Sequence, residues 1–69
     1  MINKPKVREA AIDTICGNLI MAGLLLYEET AKYFVTLTRN TDEELALILI
    51  ESRASLDKFY ENNTRARRN

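Results

Sequence analysis

The sequence predicts an all-α protein: an antiparallel helical hairpin over about 5–37 and 42–62 that homodimerises into a four-helix bundle. Three observations lead there. Apolar residues recur at helical spacing in two long stretches, a capping signature separates them, and the only proline stands at position 5. With 46% hydrophobic and 29% charged residues, the 69-residue chain has the composition of one packed domain rather than of a disordered segment. The domain is expected to span 1–69, with short basic termini at 1–8 and 63–69.

The first helix is expected to start at Pro5, because a first-turn proline lacks only an N–H that would have no partner there. At 100° per residue, Ile12, Ile15, Cys16, Leu19, Ile20, Gly23, Leu26, Tyr27, Tyr33, Phe34 and Leu37 share one broad stripe. Glu28 and Lys32 stand four apart on the other side, in the order that favours an ion pair along a helix. The helix is read as continuous or kinked. The alternative is a break at Gly17-Asn18, since a hairpin folded about residues 39–40 sets residue 62 opposite residue 17.

Thr38-Arg39-Asn40 interrupts the pattern, and Thr41-Asp42-Glu43-Glu44 reads as a capping box. The Thr41 hydroxyl can accept from the Glu44 N–H while the Glu44 carboxylate reaches back to Thr41, with all three acids at the positive end of the helix dipole. Leu45, Ile48, Leu49, Ser52, Leu56, Phe59 and Tyr60 then share one face, and the pattern fades at Asn62-Asn63. The run from Leu45 to Ile50 would also suit a buried strand. The capping box before it and the helical spacing through Tyr60 favour helix.

More apolar residues are present than two inward stripes hold. Leu24, Val35, Leu47, Ile50 and Ala54 form a second belt, expected to be the dimer interface. At this size apolar burial and chain ordering nearly cancel, and no disulfide or metal site is available to close the gap, which points to association between copies. A lone Cys16 in an apolar stretch suits a reducing, cytoplasmic compartment.

A chain of this length with a long helix, an acidic turn at Thr41-Asp42-Glu43-Glu44 and a second helix resembles the Rop family of plasmid RNA-binding regulators. That resemblance implies a dimeric four-helix bundle. Rop-like RNA recognition uses a polar, basic face on the first helix. Here that face carries Met21, Leu24, Leu25 and Glu28, so the RNA-binding activity does not carry over. In size and class the chain also resembles small phage proteins that bind and disable a host regulator.

Without His, and with one Cys, the chain holds no Ser-His-Asp or Cys-His catalytic group and no His-ligated or four-cysteine metal site. Neither a cofactor nor enzymatic activity is expected. Glu28/Glu29 and Asp42/Glu43/Glu44 read as a solvated face and a dipole-stabilised helix start. Ile15 to Tyr27 is too short to span a bilayer, and Glu9 and Asp13 interrupt a signal-peptide pattern. The Asn62-Asn63-Thr64 sequon is without consequence in a cytoplasmic protein.

The expected function is that of a small regulatory protein that covers the working surface of a larger protein, such as a transcriptional regulator or its DNA-binding domain. Met21, Leu25, Glu28, Lys32 and Arg39 are the candidate partner-binding residues. A nucleic-acid-binding regulator is the alternative. It rests on Lys4, Lys6, Arg8, Arg65, Arg67 and Arg68, which a hairpin would gather at one end. A structural subunit of a larger complex is a third reading.

Overall fold

Helix α1 spans Lys4–Met21, α2 spans Thr30–Leu37 and α3 spans Asp42–Ala66, with a 3₁₀ turn at Tyr27–Glu29 before α2. They are seen in a computed structural model that describes residues 4–66, with side chains from 6 to 64. The described residues hold helices and turns and no strand. Pro5 falls in the first turn of α1, and Leu45 to Ile50 lies inside α3, as the helical spacing requires.

The stretch expected to be one helix over 5–37 is two helices. The break comes neither as a kink nor at Gly17-Asn18, both of which lie inside α1. It comes at Gly23, whose φ of 75° is the only positive φ among the described residues. The Gly23 N–H donates to the Ile20 carbonyl at 3.0 Å and the Leu24 N–H to the Leu19 carbonyl at 2.8 Å. Those two bonds form a Schellman motif, which satisfies carbonyls that the end of α1 would otherwise leave open. Its requirement is a residue that enters the left-handed region without a Cβ penalty, and Gly23 meets it.

Two contacts set the register between α1 and α3. Arg8 pairs with Asp42, and the Asn18 amide donates to the Ser52 hydroxyl at 3.2 Å. The partners are ten residues apart on each helix, so α1 and α3 run side by side in the same direction. The Arg8 guanidinium also donates to the Asn40 carbonyl at 2.7 Å and the Thr38 carbonyl at 3.3 Å. The end of α2 is thereby held beside the start of α1, and α2 carries the chain back down α1. The course is up, down and up. This corrects the two-helix antiparallel hairpin: Ser52, not residue 62, stands opposite the Asn18 region. It also departs from the Rop-like hairpin, and a pair of such protomers holds six helices rather than four.

Ile12, Ile15 and Cys16 of α1 meet Leu37 and Leu45 in the core. Leu19, Leu25, Tyr33, Phe34, Ile48 and Leu49 are packed around them. Ile15 has no exposed surface, and Ala22 and Leu56 are also buried. The register that sets Asn18 against Ser52 brings Ala22 level with Leu56. Past that level α3 continues for ten residues, about 15 Å of helix at 1.5 Å per residue.

Candidate interaction surfaces

The first reversal, between α1 and α2, is apolar and open. Met21, Leu24 and Leu26 are each more than half exposed, and Tyr27 is 84% exposed. The Schellman motif causes this by turning the backbone sharply, so that Leu24 and Leu26 point outward while only Leu25 reaches the core. The next turn is fixed by polar groups: the Leu26 N–H donates to the Glu29 carboxylate at 3.3 Å and the Thr30 hydroxyl to the Leu26 carbonyl at 3.4 Å. Tyr27, Thr30, Ala31 and Phe34 line a hollow on one side of α2. Leu25, Glu29, Lys32, Tyr33 and Thr36 line another.

The residues expected to bind a partner do not share one helix face. Leu25 is half-buried against the core, and it lines the same hollow as Lys32. Met21 ends α1, Glu28 is exposed in the 3₁₀ turn, and Arg39 is exposed in the second reversal. That second reversal is held at Arg8, thirteen residues before Met21 on α1, so Met21 and Arg39 are separated by about 20 Å of helix length. A continuous first helix would have aligned four of these five residues. Its break at Gly23 separates them. Tyr27, assigned to the inward stripe on that same continuous helix, faces out instead.

The belt residues are all exposed but sit on different elements. Leu24 is in the first reversal and Val35 on α2, while Leu47, Ile50 and Ala54 share the outward side of α3. Between α1 and α3, Val7, Ala11, Leu45, Ala46 and Leu49 line an apolar groove closed at one edge by the Arg8–Asp42 pair.

The basic cluster is not formed by the described residues. Arg8 is engaged with Asp42 and two carbonyls at the acidic start of α3. Lys6 lies at that same end, and Arg65 lies in the last turn of α3, at the opposite end of the molecule. Parallel α1 and α3 separate the termini that a hairpin would have joined. Lys4 belongs to α1, but the side chains of Lys4 and Arg65 lie outside the described ones, as do Arg67 and Arg68 altogether.

Two side chains that hold the elements together are not singled out by the sequence. Arg8 stands in the sequence reading only within the basic cluster of the nucleic-acid alternative, although a cation near an exposed helix end often serves its carbonyls. Asn18 enters the sequence reading only as part of a possible break at Gly17-Asn18. Its spacing of three from Ile15, four from Ala22 and seven from Ala11 puts it on a buried face, which is the signal the sequence offers.

The second reversal forms as the capping signature predicts. The Thr41 N–H donates to the Glu44 carboxylate at 2.8 Å, and the Glu44 N–H donates to the Thr41 hydroxyl at 3.2 Å. The Thr41 backbone N–H, followed by its side chain, holds the Glu44 carboxyl below the usual carboxylate range. Burial, aided by the charge of Asp13, pushes the pKa of the Cys16 thiol up from its ordinary value. Among the described residues there is no group of three potential metal ligands and no helix long and apolar enough to cross a membrane.

No match emerges from the comparisons. No protein-family model, curated protein or solved structure matches this chain. The functional reading therefore rests on the surfaces themselves.

Proposed function

We propose that this chain is a non-enzymatic, self-associating regulatory protein of a reducing, cytoplasmic compartment. It binds a larger protein stoichiometrically and obstructs that protein's working surface. The observation that carries the reading is the first reversal, where Met21, Leu24, Leu26 and Tyr27 lie exposed within seven residues. Clustered apolar groups with an exposed aromatic are the usual make-up of a binding hot spot. Leu25 anchors the segment to the core from beneath, while Glu28 and Lys32 supply a charged rim. The buried, unpaired thiol of Cys16 supports the compartment.

The test is affinity capture with the full chain after nuclease treatment, in parallel with Tyr27→Ala, Leu24→Asp and Leu47→Asp. A protein recovered in fixed ratio by the parent and by Leu47→Asp, but lost with the two reversal variants, is the expected result. Partners that vanish with nuclease would support the nucleic-acid alternative instead. A protein partner held equally by all four chains would refute the assignment to the first reversal.

A further inference from the structure

The outward side of α3 changes character along its length. Leu47 and Ile50 are 60% and 66% exposed, and Ala54 is exposed beside them. With 3.6 residues per turn these three share an arc of about 80° with Glu43 before them and Lys58 after them. Among the described residues no hydrogen bond or ion pair engages the side chain of Glu43 or Lys58, and both are exposed. On one side of the stripe Arg53 and Asp57 neutralise each other across one turn at 3.4 Å, and on the other exposed Glu51 flanks it beside Ile50. From Glu43 to Lys58 the stripe therefore reads acidic, apolar, basic in chain order, and Glu61 follows on the same side within the next turn. Its opposite side is occupied, since Leu45, Ser52 and Leu56 are buried.

Such a stripe complements itself in one orientation only. Two copies laid parallel would set Glu43 on Glu43 and Lys58 on Lys58. Laid antiparallel, the same stripes share a midpoint beside Ile50. Glu43 of each copy then faces Lys58 of the other, Leu47 faces Ala54, and the two Ile50 side chains meet. Ala54 is small enough to let the helices approach closely around Leu47. We propose that α3 of one protomer docks antiparallel on α3 of a second copy of this chain, in the register that pairs Glu43 with Lys58 twice about a two-fold axis. An isologous contact of this kind closes on itself and leaves the first reversal of each protomer open. The inference rests on the self-association proposed above and specifies its face and direction.

Sedimentation equilibrium on the full chain tests it. The parent should be dimeric. Ile50→Asp sets two carboxylates against each other at the axis and should give a monomer with unchanged helical circular dichroism. Glu43→Lys and Lys58→Glu, both at exposed positions, should each weaken the dimer by about tenfold. A double variant carrying both changes, and an equimolar mixture of the two single variants, should each recover it. If the parent is dimeric and both charge variants dimerise as tightly as the parent, the α3 register is overturned while self-association stands. A parent that stays monomeric up to high concentration overturns both.

Discussion

At Ala22–Leu26 the chain ends a helix on a positive-φ glycine, satisfies the open carbonyls with its own N–H groups, and leaves two large apolar side chains, Leu24 and Leu26, in solvent. At Thr38–Thr41 it turns with ordinary backbone angles and starts the next helix on a reciprocal Thr41–Glu44 cap. Arg8 adds donors from a different helix to the carbonyls of that turn. One reversal is built from backbone geometry, the other from side-chain chemistry. The difference bears on function, because a reversal held by its own backbone can expose apolar side chains without losing its shape. The polar reversal spends its side chains on holding the turn.

The largest effect expected lies between the two, at the pair that holds α1 level with α3. Ser52→Ala removes the acceptor of the buried Asn18 amide and should cost about 2 kcal/mol in urea unfolding, the usual loss for a stranded buried donor. At the first reversal, Gly23→Ala should cost about 1 to 2 kcal/mol, through the left-handed backbone alone, since an added Cβ would meet nothing within 4 Å. At the second, Thr41→Ala should cost about 1 kcal/mol through loss of the cap. An equal loss for Gly17→Ala as for Gly23→Ala would break the contrast. Gly17 is helical with open space around it, and its alanine variant should gain about 0.5 to 1 kcal/mol instead.

The smallest effect is in the pH dependence. A carboxyl whose folded pKa is lowered contributes stability that is fully present above its unfolded value and lost as pH falls through the folded one. Glu44 belongs to that class. Glu44→Gln keeps the shape of the cap, so thermal melts over the acid range should show a shallower fall in stability for the variant than for the parent. A slope identical to the parent's would show that the Thr41–Glu44 bond does not persist in solution.

Much of the fold was legible from local patterns. The second reversal was visible because a capping box is a four-residue signature that names both of its bonds. The helical state of Leu45 to Ile50 followed from the cap before it and the spacing after it. The first reversal was hidden by its own composition. Leu24-Leu25-Leu26 favours helix, and Gly23 fits an inward stripe as a small residue as well as it fits a helix end. The candidate site suffered in turn, since Met21, Leu25, Glu28 and Lys32 were aligned on a helix that the glycine divides. Exposure of Leu47, Ile50 and Ala54 was readable, because α3 is continuous through them.

By itself the sequence determined the all-helical class, the start of α3 and the absence of His-dependent chemistry, because helical period, capping and composition are local properties. Tertiary structure decided the number of helices, the parallel pairing of α1 and α3, and the opposite ends that Lys6 and Arg65 occupy. Those depend on where Gly23 adopts a conformation that its neighbours do not encode, and on contacts such as Arg8–Asp42 and Asn18–Ser52, which join residues 34 positions apart.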